Sequence, residues 1–305
     1  MKPAQIYRQY IWIINTLKKH GRLTLDELSH LWRDEEVAGG SPLLRASFTR
    51  HRDAILDMFG IIIDCDQRNG FKYFIANPEV LDDDSVERWM LSTLSVNTAL
   101  AESAGAKDRI LLEMVPAGEE FLPTIVKAIR LNRRVVMDYQ RFDAEPYQKT
   151  VEPYALKLRQ QRWYMLVFTG RHIATYALDR MLSLELTSET FRMPDGFSPQ
   201  EYFAEYYGVM TDETPMAHIV IRAYGSKPNY LRTLPLHSSQ RELESGEITN
   251  DDSSTTRYTD FSLHLRPTID FLEALLSHGA GIEVLEPTTL RAIMRQKIAE
   301  NLKRY

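Results

Sequence analysis

Apolar residues in the first quarter of the chain recur at helical spacing. Ile6, Tyr10, Ile13, Ile14 and Leu17 form one stripe, closed by Gly21. Thr24 then offers an N-cap with Glu27 three residues on, a capping box in front of Leu28, Leu31 and Trp32. After the loop DEEVAGGSP, Ser41-Pro42 predicts the start of a third helix over 42–59, with serine as cap and proline at the first helical position. Its buried side is predicted to be Leu44, Phe48, Ile55 and Phe59, and Gly60 ends it. The run IIIDCDQRNGFKYFI reads as two strands around Asn69-Gly70, a strong signal for a two-residue hairpin turn. Three helices followed by a hairpin within 1–78 predict a winged helix-turn-helix, and NPEVLDDD marks its end.

Residues 84–115 have helical composition but no clear partner surface, which suggests a connector or a dimerisation arm. Pro116 and Pro123 bracket the next boundary. A short helix, TIVKAIRL at 124–131, leads into the strand-like runs VVMDYQ, KTVEPYALKLR, RWYMLVFTG, HIATYALDRM and SLELT. Short strands with hairpin-length gaps predict a small, strongly bent antiparallel sheet or barrel. The polar, aromatic stretch PDGFSPQEYFAEYYG reads as a linker. A strand at 217–224, the segment YLRTLPLH, a polar loop at 245–257, a strand FSLHLRP, a helix IDFLEALLSHG, a strand GIEVLEP and a last helix then make an α+β module. The predicted fold class is therefore α+β and multidomain. Its divisions are a winged helix-turn-helix at 1–78, a helical connector at 79–118, a bent sheet domain at 119–192, a linker at 193–212 and a C-terminal α+β extension at 213–305.

Composition narrows the function classes. No apolar run approaches the ~18–20 residues of a membrane span, so no membrane partner is expected. The N-terminus reads as a folded helix and not a signal peptide. The single cysteine, Cys65, excludes an internal disulfide framework and any zinc site built from several thiolates, and fits a reducing cytoplasm. The 8 histidines show no HExxH spacing, and P-loop, GxGxxG and GxSxG patterns are absent. An enzyme is not expected, nor is a cofactor or a metal. The net charge of −5 conceals local excesses. Residues 1–78 hold 11 Lys+Arg against 9 Asp+Glu, and residues 121–182 hold 11 against 5. A local attractor for anions is set within a Debye length of roughly 8–10 Å, so the second segment matters despite the acidic total.

Two residue sets follow. On the third helix, Arg45, Ser47, Thr49, Arg50 and Arg52 can offer charge and hydrogen bonds to double-stranded DNA, while Phe48 and Ile55 hold the helix to its own core. Arg68, Asn69 and Lys72 on the hairpin would contact phosphate. The alternative is a structural or protein-binding winged helix with ordinary surface arginines. So modest a charge on one DNA reader implies a homodimer that doubles the contacts. In the sheet, Tyr139, Tyr154, Lys157, Arg159, Arg162, Tyr164, Arg171, Tyr176 and Arg180 mix cations with aromatics, which suits a phosphate-bearing ligand with stacking bases. Strand alternation places Tyr154 with Leu156 and Arg162 with Tyr164. Equally open is a barrel whose tyrosines are core and whose arginines pair with Glu152 or Asp179.

RWYMLVF followed by YALDRM resembles the signature of the WYL-domain transcriptional regulators, with Trp163-Tyr164-Met165 standing for Trp-Tyr-Leu. VVMDYQ, EPYALK and LDRM resemble the family's first strand, its proline-containing strand and its LDR ending. SFTRHRDAILDMFGIIIDCD is similar to the winged helix found with it, and LHLRPTIDFLEALLSHGAGIEVLEP to its C-terminal (WCX) extension. The resemblance implies an Sm-like barrel and a cytoplasmic, dimeric, ligand-responsive bacterial transcription regulator. It further implies a repressor at an inverted-repeat operator, as in relatives that control phage-defence operons, whose WYL domain senses a nucleic-acid fragment or nucleotide-like effector. The ligand residues it implies are Tyr139, Tyr154, Lys157, Arg162, Tyr164, Tyr176 and Arg180. Many relatives carry an arginine two residues before the aromatic of the LDR strand; here Ala174 stands there, removing one expected phosphate contact. The alternative function is a nucleic-acid-binding sensor or accessory subunit that acts with a separate effector and not at a promoter.

Overall fold

The computed structural model describes residues 3–33, 35, 38, 41–81, 86–102, 109, 111, 118–249 and 253–305. The chain divides into two units, Met1–Glu113 and Met114–Tyr305.

In the first unit the predicted helical stripes close on one another. Helix α1 (Pro3–His20), helix α2 (Leu25–Arg33) and helix α3 (Arg45–Phe59) precede strands β1 (Ile63–Asp66) and β2 (Lys72–Ile75), and helix α4 (Val86–Glu102) follows. Ile13, Ile14, Leu17, Leu28, Phe48, Ile55 and Phe59 share one core with Tyr73 of β2. The capping box forms as expected: Thr24 N–H donates to Glu27 Oε2 at 2.7 Å and Glu27 N–H to Thr24 Oγ1 at 3.2 Å. Leu23 and Tyr73 exchange N–H···O bonds of 3.1 and 2.7 Å, adding a short third strand to the β1–β2 hairpin. Gly60, in the left-handed region at φ 61°, ends α3 by donating to Leu56 O.

Three local expectations are corrected. Helix α3 starts at Arg45, with Leu44 and not Ser41 at the N-cap. Ser41 is held outside the helix, its N–H on Ala38 O and its carbonyl taking the Trp32 Nε1–H bond at 3.0 Å. The extended stretch then buries Leu43 and leaves Leu44 60% exposed, shifting the apolar register by one residue. The hairpin turn also spans more than Asn69-Gly70. Asp66 pairs with Lys72, and Asp66 caps a 3-10 turn over Gln67–Asn69 by accepting from Asn69 N–H. An aspartate that satisfies the next backbone donors favours this longer turn over the two-residue one. Finally, α4 has a partner surface, since Leu91 is buried in the same core as Ile13 and Phe48. Most of the predicted helical stretch beyond Glu102 lies outside the described residues.

In the second unit, helix α5 (Leu122–Leu131) precedes β3 (Arg133–Tyr139), β4 (Tyr147–Arg159), β5 (Arg162–Phe168), β6 (Ile173–Ala177) and β7 (Met181–Thr190). These strands form an antiparallel sheet in the order β6-β5-β4-β3-β7. Ile125 and Ala128 of α5 pack into a core with Val135, Met137, Met165, Val167 and Leu178. The strand positions match the predicted runs, because alternation on a half-buried sheet is strong there. One pairing does not hold: Pro153 faces Val167 and Ala155 faces Leu166, so Tyr154 is the extra residue of a β-bulge. Tyr154 and Leu156 therefore do not share a face as strict alternation would have it.

Helix α6 (Pro199–Ala204) leads into β8 (Ala217–Tyr224), α7 (Lys227–Thr233), β9 (Arg241–Thr249), β10 (Thr255–Leu265), α8 (Ile269–Ser277), β11 (Ile282–Glu286) and α9 (Thr288–Leu302). The sheet order is β11-β8-β10-β9, with Ile219, Ile221, Phe261, Leu263, Phe271 and Leu275 in its core. The predicted polar loop at 245–257 is instead largely the end of β9 and the start of β10, paired from Thr255↔Thr249 onward. β9 is an edge strand whose side chains are mostly exposed, so it carries no apolar alternation to betray it. The chain as a whole is α+β, with helices and antiparallel sheets in separate modules. No described helix is long and apolar enough to cross a membrane.

Phe48 is fully buried between α3 and Tyr73, whose ring meets it edge-on at 4.7 Å. Phe48→Ala is expected to destabilise the first unit by about 3–5 kcal/mol, read as a fall in the urea midpoint by circular dichroism.

Candidate functional site

Helix α3 presents its residues in two classes. Phe48, Ile55 and Phe59 point into the core, whereas Arg45, Ala46, Thr49 and Arg50 are exposed. Asp53 and Asp57 continue the exposed side, so the helix is cationic in its N-terminal half and acidic beyond it. No side chain caps its first turn. Uncapped N–H groups, the positive end of the helix dipole and two exposed guanidiniums together favour an anion at this end. Thr49 Oγ1 donates to Arg45 O at 3.0 Å, and Arg50 Nη2 to Ser47 Oγ at 3.4 Å. Ser47 is half-buried. Below Arg50, His51 stacks edge-on against Tyr10 at 5.4 Å, and burial with the Arg50 charge pushes its pKa down.

The remaining predicted residues of this unit divide. Arg52 is half-buried with its guanidinium 5.4 Å from the Tyr73 ring, a tether between α3 and the hairpin. Arg68 is exposed at the hairpin tip, and Lys72 is half-buried. Asn69 spends its amide on Asp66 Oδ2 at 2.7 Å. Arg22 was missed by the sequence reading: it pairs with Asp66 at 2.6 Å and lies 4.3 Å over the Phe74 ring, bracing the hairpin. Its position just after a helix carried no signal for that role.

In the sheet the seven predicted ligand residues fall into three groups. Tyr139 and Tyr176 meet edge-on at 4.8 Å, with Arg180 6.0 Å from the Tyr139 ring and 4.6 Å from Phe142. Arg162 reaches Asp179, the neighbour of Arg180, at 3.7 Å. Arg180 Nε and Asp179 Oδ1 are buried without a hydrogen-bond partner among the described residues, and such groups call for an explanation. Burial raises the pKa of both Tyr139 and Tyr176, so both rings stay neutral donors. Tyr139, Tyr176 and Arg180 are brought together, along with Tyr147 at 6.0 Å from Tyr139 and Arg141 at 5.8 Å from Tyr147, which the sequence pattern does not single out, while Arg162 joins them through Asp179.

Tyr154 lies elsewhere, packed among Phe168, Phe191 and Phe197 at 5.4–6.4 Å. Lys157 pairs across the strands with Tyr164, beside the Arg159–Arg162 pair. There Lys157 Nζ donates to Gly208 O at 2.9 Å, Arg159 Nη1 to Tyr207 O at 2.8 Å and Thr175 Oγ1 to Val209 O at 2.6 Å. Lys157 and Arg159 also lie over the rings of Phe203 and Tyr207. From the opposite side Asp270, at the start of α8, accepts from Val209 and Met210 N–H at 3.0 and 3.2 Å. Residues 207–210 thus form a strap gripped by both sheet modules. Burial, then the Arg159 charge, lowers the Lys157 pKa to about 8, with Asp270 opposing. Of the arginines, Arg134 pairs with Glu152 at 2.8 Å and Arg162 with Asp179 at 3.7 Å, the two carboxylates that the barrel alternative names.

Among the described residues no group of three or more His, Cys, Asp or Glu side chains could hold a metal ion. Residues 120–186, the five-stranded sheet and its helix, match the WYL domain, and residues 215–302 match the WCX domain. The chain carries a WYL domain followed by a WCX domain. A comparison with curated proteins gives no match. Among solved structures, the chain is similar to proteasome accessory factor B/C (PafBC) of Arthrobacter aurescens, with a TM-score of 0.34 and 20% identity. That similarity covers 96% of this chain but 46% of PafBC, so the chain spans less than half its length. A CRISPR Cas-related protein is similar at a TM-score of 0.38 and 11% identity, over 99% of this chain and 85% of that one.

The strap joining the WYL and WCX domains yields two expectations. A Cβ on Gly208 would sit 1.8 Å from Asp270 Oδ2 and 3.3 Å from Arg159 Nε. Gly208→Ala is therefore expected to break the Asp270 bonds and lower stability by about 1–3 kcal/mol, measured by urea denaturation. Lys157, with a folded pKa near 8 below its ordinary value of 10.5, carries its burial penalty in full below pH 8. Between pH 8 and 10.5 the unfolded chain binds the extra proton, so stability contributed by this site rises with pH. The urea midpoint of the unsubstituted protein, relative to Lys157→Met, is expected to climb from pH 7 to pH 9.5; a constant difference would contradict the shift.

Proposed function

We propose that the protein is a ligand-responsive DNA-binding transcription regulator whose first unit is a winged helix-turn-helix. The observation that carries this reading is the exposed, cationic and uncapped N-terminal half of α3, seated on a rigid core and tied to the hairpin by Arg52 and Tyr73. A helix entering the major groove reads bases with its N-terminal residues, and arginine reads guanine there. Arg45, Thr49 and Arg50 are the base-reading set. Arg68 serves the phosphate backbone, and Lys72 and Ser47 flank it. Arg52 and Asn69 are positioning residues, given their contacts within the unit. Two copies binding an inverted-repeat operator as a repressor would supply the charge that one copy lacks.

The WYL domain supports a sensor role. Tyr139, Tyr176, Arg162 and Arg180 supply aromatic faces and guanidiniums, and Arg180 Nε and Asp179 Oδ1 are buried without partners among the described residues. That chemistry suits a nucleic-acid fragment or nucleotide-like effector. Binding there controls DNA affinity only if the effector binds one arrangement of the dimer more tightly than the other.

A gel shift on the DNA upstream of the protein's own gene, against scrambled DNA of equal length, tests the reading. Selective binding at near-physiological salt is expected, and Arg50→Ala is expected to weaken it by about 1–3 kcal/mol. Equal, salt-labile binding to both DNAs would instead support an accessory nucleic-acid sensor.

A further inference from the structure

The WCX domain holds a cleft whose lining includes none of the predicted site residues. It lies between the C-terminal end of α8, strand β11 and helix α9, and measures about 690 Å³. Small-molecule sites occupy roughly 300–1,000 Å³ and are mostly apolar with a few placed polar groups. The walls here include Leu276, Ile282, Met294 and Ile298. Only Leu290 and Met294 of α9 are buried, so the helix is anchored by its N-terminal half. Its later apolar residue Ile298 lines the cleft while remaining 55% exposed.

The polar rim divides into groups already paired and groups that are not. Glu283 accepts from Arg291 Nη2 on one oxygen and from the Tyr224 hydroxyl, at 2.7 Å, on the other. Its charge is thereby neutralised, and a cationic ligand would find no unpaired carboxylate on these walls. Arg295 and Lys297 also line the cleft and meet no carboxylate among the described residues. Apolar walls beside two unpaired cations match one chemistry.

We propose that this cleft binds a small amphipathic anion. Its apolar body lies against Leu276, Ile282, Met294 and Ile298, and its carboxylate or phosphate meets Arg295 and Lys297. The site shares no residue with α3 or with the Tyr139–Arg180 group of the WYL domain. It sits at the opposite end of α8 from Asp270, which holds the strap.

The test uses the full chain with 13C-labelled methionine methyls, the Met294 signal being assigned through Met294→Leu. Sodium decanoate is titrated, with decyltrimethylammonium as a cation of equal chain length. The expected result is a saturable shift of the Met294 methyl with decanoate, and at least about tenfold weaker binding of the cation. The double variant Arg295→Gln/Lys297→Gln is expected to lose decanoate affinity by about tenfold or more. These side chains lie at the surface, and circular dichroism verifies that the variant is folded. A Met294 signal that does not respond, equal binding of the two amphiphiles, or affinity unchanged in the double variant would each overturn the proposal. So would sedimentation showing that Ile298→Glu dissociates a dimer whose Met294 ignores decanoate, since the cleft would then be a subunit interface.

Discussion

Lys157, Arg159 and Thr175 of the WYL sheet donate to the carbonyls of Gly208, Tyr207 and Val209, and Asp270 of the WCX domain accepts from the two N–H groups that follow. Within the second unit, the relation of the two domains depends on this strap. Backbone groups are obligatory hydrogen-bonding groups, and hiding them between two sheets without partners would cost a bond's worth of free energy each. The strap resolves that by placing carbonyls toward the cationic face and N–H groups toward the carboxylate. Gly208 is needed because the chain passes too close to Asp270 for a side chain. The same arrangement explains a half-buried lysine with a depressed pKa: its ammonium is held on a carbonyl and an aromatic ring, with no carboxylate bonded to it.

The strap also divides the basic surface of the WYL domain. Cations that look alike in sequence serve two ends. Lys157 and Arg159 are spent on holding neighbouring backbone. Arg180, next to Tyr139 and Phe142, keeps a buried Nε without a hydrogen-bond partner among the described residues. Guanidinium and aromatic faces lie together there, whereas the bulge at Tyr154 places that ring in an aromatic cluster with Phe191 and Phe197. In the first unit a similar sorting occurs on α3, where Arg52 braces the hairpin and Arg45 and Arg50 remain exposed.

Strongly periodic segments are legible in the sequence. The stripes Ile13–Leu17 and Phe48–Phe59, the strands around Trp163-Tyr164-Met165 and the capping box at Thr24 and Glu27 all follow from local physics: a 3.6 or 2.0 repeat and a reciprocal pair of caps. Polar segments were not legible. The edge strand β9 buries almost nothing, so its sequence, RELESGEIT, has no reason to alternate. The start of α3 differs from the local signal because Ser41 has a tertiary partner, the Trp32 indole, that no local rule contains.

The sequence by itself determined which periodic elements form, the class of the fold and the supply of cations and aromatics on α3 and on the WYL sheet. These depend on residue type and spacing over a few positions. Only the tertiary structure decided which of those side chains remain unspent. Arg180 differs from Lys157 not in charge but in whether a backbone carbonyl from fifty residues away has reached it, and that is a property of chain path, not of local sequence.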